Sequence, residues 1–365
     1  MVVALTGGTG FVGARVCAEL LRRTDGAVVC LVRARDPEEA EGRIREALAG
    51  LDPAAAESPR LRAVPADLSA DRLGLEGDAY LRLADEVGAV YHCGASVHLA
   101  APYERVAPIN VEGTRRVVDF CVTGRPKHLH HVSTLGVFLA AREAGLDRVD
   151  ESTEPTLHTC GPFGYPRTKV EAERAVAAAV AERGLVATVY RPGLVLADSR
   201  DGAAPAHDFT TCVIAAAVVT GCYPTALGSL PAATVDHTAR AIAALSLSPR
   251  AAGSVFHVMR PAPLPMRELF ERARAHGYRL REVSGERWHQ ALREHQDNPW
   301  ARAAHRLRIA TYTLGLTPDR LPPEVGGDAS VRAAGAAGVT APDTGDAYFH
   351  RLLTRLERDH GASLT

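Results

Sequence analysis

Short strand-like runs alternate with helix-forming stretches through the first two thirds of the chain, and no other feature constrains its fold as strongly. The runs are Val2–Leu5, Val28–Val32, Leu61–Val64, Ala89–His92, Leu129–Val132 and Val186–Tyr190. Between the first two, Phe11 to Arg23 carries Val12, Val16 and Leu20 at helical spacing, and Pro37 to Leu51 is charge-rich and helix-forming. Strands spaced by helices imply a parallel sheet, whose strands are buried on both faces. Past Ala197 the regularity weakens. Val255–Val258 reads as one more strand returning to the sheet, Pro265 to Trp300 reads as helical, and Pro318 to Asp346 is rich in Pro, Gly and Ala. The expectation is an α/β chain whose doubly wound parallel sheet uses residues 1–196 plus about 233–260. A smaller, mostly helical C-terminal lobe, about 197–232 and 261–365, would face the substrate.

The first strand runs into Gly7, Gly10 and Gly13, a G-x-x-G-x-x-G set between a strand and a helix. Glycine lets the backbone turn beneath a pyrophosphate, whose charge then sits on a helix N-terminus. That context makes the sheet Rossmann-type, with a dinucleotide at its first turn. An NAD site places an acidic residue about 20 residues past the loop, to accept from the ribose 2′-hydroxyl. Here the second strand ends in Arg33, with Arg35 close by and Arg43 a turn or two into the next helix. A guanidinium suits a 2′-phosphate and offers a hydroxyl no acceptor, so the cofactor expected is NADPH. For Arg35 a solvated surface position is the better reading. Asp67, after the third strand, stands where it accepts from the adenine amino group or merely shapes a turn.

Tyr165-Pro166-Arg167-Thr168-Lys169 places a phenol and an ammonium four residues apart, on one helical face. An ammonium beside a phenol favours the phenolate, which predicts a lowered tyrosine pKa and proton exchange near neutral pH. Pro166 fits the first turn of a helix, where its missing N–H costs nothing. The fifth strand ends in His131-Val132-Ser133-Thr134, and strand carboxyl ends face the ligand crevice of such sheets. A hydroxyl there can donate to a substrate carbonyl oxygen. Thr134 is preferred over Ser133, which equally suits a backbone cap. His128, His130 and His131 do not make a metal site: alternation splits the last two, and no Cys or carboxylate cluster completes a ligand set. Neither Ser133 nor Ser96 lies in a G-x-S-x-G elbow, which argues against a serine hydrolase.

Charge and cysteine usage bound the rest. With 42 basic and 43 acidic residues, a net −1, the chain offers no general attraction to nucleic acid or an anionic membrane. Its longest apolar stretch, around Cys212 to Val219, is far short of the roughly 20 residues that span a bilayer. No secretory leader precedes Val2, and the seven cysteines are odd in number without a C-x-x-C, so a reducing, cytoplasmic setting is expected.

With these residues placed, the chain resembles the extended short-chain dehydrogenase/reductases, and more narrowly the thioester reductase domains that end non-ribosomal peptide and polyketide synthetases and carboxylic acid reductases. The resemblance is carried by Leu5-Thr6-Gly7-Gly8-Thr9-Gly10-Phe11-Val12-Gly13, Cys30-Leu31-Val32-Arg33-Ala34, Val90 through His98, Asn110-Val111-Glu112-Gly113-Thr114, His131 through Thr134, Gly164 through Lys169 and Tyr190-Arg191-Pro192-Gly193. Gly277-Tyr278 leading to Trp288, and the tail around Pro342, support the narrower reading. The resemblance implies a Thr134–Tyr165–Lys169 triad. It also implies cofactor contacts at Gly7, Thr9, Gly10, Phe11, Val12, Gly13, Arg33, Arg43, Asp67, Leu68, Ala95, Lys169 and Pro192. The reaction it implies delivers hydride from NADPH to an acyl thioester on a phosphopantetheine arm; an aldehyde is released, which some members reduce again to an alcohol. The partner implied is a phosphopantetheinylated acyl or peptidyl carrier protein, met in trans or in cis within a parent synthetase. The helix departs from the family's usual Tyr-x-x-Ser-Lys-Trp by carrying Thr168 and Val170. The same residues would also serve an extended reductase or epimerase acting on a free ketone, aldehyde or nucleotide-sugar, although Arg33 argues against most epimerases. A non-catalytic NADPH-sensing protein has no use for a Tyr–Lys pair.

Overall fold

The computed structural model describes all residues except 99–100, 206–207, 226–227, 250, 307–322 and 365. Seven parallel strands form its centre: β1 (Val2–Thr6), β2 (Val28–Val32), β3 (Leu61–Pro65), β4 (Val87–His92), β5 (His128–Val132), β6 (Val186–Pro192) and β7 (Val255–Val258). Their order is β7-β6-β5-β4-β1-β2-β3. Leu5 of β1 therefore pairs with Cys30 on one side and Tyr91 on the other. The strand order reverses between β1 and β4, and a crevice opens at the carboxyl ends of the strands at such a switch point. All five residues of β2 are buried, whereas β3, at the edge, is largely half-buried. That contrast follows from helices covering both faces of a parallel sheet.

One face packs Leu5, Val16, Leu20 and Ile44 with Ile242, from helices Phe11–Arg23, Pro37–Ala49 and Val235–Ser246. The opposite face packs Val29, Val90 and Leu129 with Leu83 and Phe120, from helices Gly77–Glu86 and Glu112–Val122. A third apolar cluster holds Ile214, Tyr223, Phe270, Trp288 and Phe349. Its centre is the helix Phe209–Thr220, the apolar stretch noted in the sequence, which is buried nearly all round as such a helix must be. Asp208 caps it, accepting from Thr210 N at 2.8 Å and Thr211 N at 3.1 Å. Leu139, Phe163 and Leu194, from the sheet side, pack against this cluster.

The stretch Pro265 to Trp300 is not one helical run. Helix Met266–His276 stops at Gly277, whose φ of +124° suits glycine. A short strand, Arg281–Val283, then pairs in parallel with Cys222–Pro224. Ser284 caps a second helix, Gly285–Glu294, and a third begins at Pro299. The sequence stretch Pro318 to Asp346 lies partly outside the described residues; within it, helix Asp328–Ala336 packs beside β7.

Candidate active site

Gly7 leaves β1 with φ +73°, and a Cβ there would stand 2.6 Å from Gly94 N. A Cβ on Gly13 would stand 2.1 Å from the Gly7 carbonyl oxygen, so only glycine lets the helix Phe11–Arg23 start this close to the strand. Gly10 N donates to Gly7 O at 2.9 Å and closes the turn. Gly10 caps the helix without a side-chain bond, leaving first-turn N–H groups for an anion. Thr9 and Gly10 are exposed on the loop, and Phe11 and Val12 partly so. This side-chain-free cradle fits a pyrophosphate.

Arg33 is exposed at the end of β2 and makes no ion pair among the described residues. Its carbonyl accepts from the Arg43 guanidinium, so the two arginines share one rim. Arg35 is committed to Glu39 at 2.8 Å on the exposed face, in keeping with a surface role. Asp67 accepts from Ser69 N at 2.8 Å and Ser69 Oγ at 2.7 Å. Those bonds, with the fields of Arg33 and Arg116, hold its carboxyl below the usual range. Asp67 therefore does shape a turn, one that lies within reach of Arg33's charge. Leu68 lies under Gly94 and Gly113, where an added Cβ would meet its side chain at 2.8 and 3.1 Å. Ala95 is partly exposed after β4, and Pro192 is buried at the end of β6.

Helix Gly164–Arg183 carries Tyr165 and Lys169, with Pro166 in its first turn. Lys169 Nζ donates to Val132 O, at the carboxyl end of β5, at 2.7 Å. Burial pushes its ammonium down to about 8, against the opposing field of Glu173. The lowered phenol expected at Tyr165 is not what the structure shows. Burial pushes this phenol up instead, because the pairing motif carries no information about desolvation. Thr134 Oγ accepts from Gly136 N at 3.0 Å, which leaves its own proton to donate. Ser133 is different: it is buried and its hydroxyl donates to Glu173. Of the three histidines, His128 pairs with Thr188 at 2.8 Å and His130 with Tyr190 at 3.1 Å, while the ring nitrogens of His131 are buried with no hydrogen-bond partner among the described residues.

Sequence reading missed two networks around these groups. In the first, Thr6 Oγ and His92 Nδ1 are 2.7 Å apart and His92 Nε2 and Thr114 Oγ 3.1 Å. Thr114 donates to Asn110 O at 2.6 Å, so His92 carries its proton on Nε2 and accepts from Thr6 at Nδ1. Asn110 Nδ2 donates to Ser96 O at 3.0 Å and Thr168 Oγ at 2.9 Å, and Thr168 donates to Tyr165 O at 2.7 Å. A directed chain of bonds thus joins the end of β1 to the turn bearing Tyr165. In the second, buried Arg191 grips Glu173 at 2.8 Å and donates to Thr153 O at 3.1 Å. The only signals in the sequence were the Asn110 motif and the spacing of Glu173, four residues beyond Lys169. Lysine is otherwise nearly absent: Lys127 and Lys169 are the chain's two lysines, and each is 3% exposed.

A glycine cradle at the switch point, with a Tyr–Lys helix at the neighbouring strand ends, defines an NAD(P)-binding oxidoreductase of the short-chain dehydrogenase kind. Residues 5–242 match the NAD-binding family described as male sterility protein, and the chain belongs to that family. It superposes on the terminal R domain of the myxalamid PKS-NRPS biosynthetic pathway with a TM-score of 0.88 and 31% identity, covering 98% of this chain and 90% of that one. A reductase (R) domain of a non-ribosomal peptide synthetase from Mycobacterium tuberculosis matches at 25% identity and a TM-score of 0.78, covering 98% of this chain and 91% of that one. The isonitrile lipopeptide synthase of Streptomyces coeruleorubidus is 36% identical over 294 residues, 80% of this chain and 20% of that protein. The chain thus spans about a fifth of that relative's length. Among the described residues no helix is long and apolar enough to cross a membrane.

Proposed function

We propose that the chain uses NADPH to reduce an acyl thioester on the phosphopantetheine arm of a carrier protein, releasing an aldehyde. The observation that carries this reading is the bond from Lys169 to the carboxyl end of β5, just before Thr134, made by the helix that also bears Tyr165, in a chain that matches a terminal R domain over 98% of its length. Bound NADPH would supply a hydride to the carbonyl carbon. Thr134, with its proton uncommitted, would donate to the carbonyl oxygen as negative charge develops. Tyr165, kept protonated by burial, would deliver its proton to that oxygen, and the Lys169 ammonium would stabilise the phenolate left behind. The resulting hemithioacetal breaks its C–S bond to give the aldehyde and the free thiol. Gly7, Thr9, Gly10, Phe11, Val12 and Gly13 would cradle the pyrophosphate, with Leu68, Ala95 and Pro192 against the nucleotide. Arg33 and Arg43 would hold a 2′-phosphate, and Asp67 the adenine amino group. The cluster around Trp288 would form the substrate-facing lobe, and the setting would be cytoplasmic.

The test is nicotinamide oxidation with acyl thioesters of pantetheine, coenzyme A and a loaded carrier protein, with free ketones and aldehydes alongside. Thioester-dependent turnover that vanishes in Tyr165→Phe is expected. Turnover with free carbonyl compounds alone would overturn the carrier reading and leave a free-carbonyl reductase.

A further inference from the structure

We propose that the buried Glu173–Arg191 pair is a positioning unit for the active site, in which the Glu173 carboxylate holds both the charge of Lys169 and the hydroxyl of Ser133. The inference rests on the reductase reading above and adds residues to it. Two consecutive residues at the end of β5 are gripped from the same helix: Val132 O accepts from Lys169 Nζ at 2.7 Å, and Ser133 Oγ donates to Glu173. Ser133 N also donates to Tyr190 O at 2.6 Å, and the next residue of β6, Arg191, closes the clamp on Glu173 through Nε at 3.2 Å and Nη2 at 2.8 Å. Thr134 follows directly, so its hydroxyl is aimed by a backbone step fixed on both sides. With Ser133 occupied, Thr134 alone of the two hydroxyls keeps a proton for the crevice.

Electrostatics give the carboxylate its second task. The titratable groups that act on Lys169 or feel its charge are His92 at the end of β4, Cys93 just after it, His131 from β5, and Glu173 from its own helix. Burial keeps both imidazoles neutral and pushes the Cys93 thiol up to about 12. Tyr165 is protonated as well. Among the described residues, Glu173 is thus the anion that acts on Lys169, opposing the burial that would strip its proton. Arg191 balances the carboxylate and is itself anchored at Thr153 O, 3.1 Å away, and against the Phe138 ring, 5.2 Å from its centre.

Because the chain has two lysines, labelling them with carbon-13 at the ε-carbon yields two resonances, and Lys127→Arg assigns them. In the unmodified chain the Lys169 signal should titrate near 8. In Glu173→Gln its midpoint should fall by about one pH unit. The alkaline limb of kcat should move down with it, since a group of lower pKa loses its proton at lower pH. Glu173→Gln leaves the Arg191 charge buried without a counter-charge, so the double variant Glu173→Gln/Arg191→Met, which removes both charges, is measured as well. Glu173→Asp should return the midpoint towards that of the unmodified chain. An unchanged Lys169 midpoint in the charge-removing variants overturns the proposal, as does loss of fold in both, which would mark the pair as a stabilising element alone. The resonance needs no turnover, so a protein inactive on every thioester would sink the functional reading while leaving this one standing.

Discussion

Replacing Arg33 with alanine isolates the choice between the two nicotinamide nucleotides. The side chain is exposed and makes no ion pair among the described residues, so its loss leaves no buried charge or void and the fold is untouched. Whatever the guanidinium contributes must therefore appear in cofactor binding. A hydrogen bond to a charged group contributes roughly 1.5–3 kcal/mol, which at about 1.4 kcal/mol per decade is roughly a 10- to 150-fold loss in NADPH affinity. NADH has no 2′-phosphate to lose, so its affinity should change less than about twofold. Arg43 already donates to the Arg33 carbonyl, and Arg43→Ala should produce a smaller loss in the same direction. Titration calorimetry of each variant with each nucleotide reads this directly. Equal losses for NADPH and NADH, or none for either, would refute the assignment of this rim to a 2′-phosphate.

Tyr165→Phe should lower kcat by at least about 100-fold, with NADPH affinity nearly intact, because the variant removes the proton and little else; a split between kcat and nucleotide binding checks it. Gly13→Ala should abolish nucleotide binding, since the new Cβ would stand 2.1 Å from Gly7 O and neither backbone can yield without opening the cradle; fluorescence of bound NADPH reports the loss. At Asp198, burial pushes the carboxyl up, but bonds from Arg200 and Arg15 outweigh it and hold the group at about 2, below its ordinary 3.8. A depressed folded-state value means stability present above the unfolded value and lost as pH falls through the folded one. Asp198→Asn should thus cost roughly 2 kcal/mol at pH 7, with the difference from the unmodified chain shrinking below about pH 4 in urea melts.

The seven sheet strands could be read from the chain because each buried strand is a short apolar or β-rich run, and the fifth held despite its three histidines because His128 and His130 bond to Thr188 and Tyr190 of β6 and His130 stacks on Tyr91 of β4. The helix placement of Tyr165 and Lys169 and the tight turn at the glycine loop were legible for a related reason: each pattern is local, within one helical turn or one loop. Glu173 and Arg191 were not, since a buried ion pair between residues 18 apart looks on paper like two surface charges. The bonds of the Asn110 side chain were hidden similarly, two to Ser96 and one to Thr168, assembled only when the segment after β4 and the Tyr165 helix meet. The direction of the Tyr165 shift depended on solvent exclusion, which no spacing of residues encodes. The break at Gly277 was missed because apolar residues continue on both sides of it at helical spacing.

The burial of both lysines bears on how the proposed product would leave. Aldehydes condense with unprotonated primary amines to form imines, and a reductase with an ordinary lysine-studded surface would be tagged by what it makes. Here the basic exterior is guanidinium, which is far less nucleophilic than an amine because its charge is permanent and delocalised. Lys127 is held by the carbonyls of Thr123 and Arg125 at 2.7 Å each, and Lys169 by that of Val132. Incubation with excess aldehyde and a borohydride trap should therefore leave the folded chain unmodified outside its amino terminus, as intact mass would show. The vulnerable amine is Lys169, brought down to about 8 at the place where the aldehyde would form. Its bond to the strand end would then act as a guard as well as a tether.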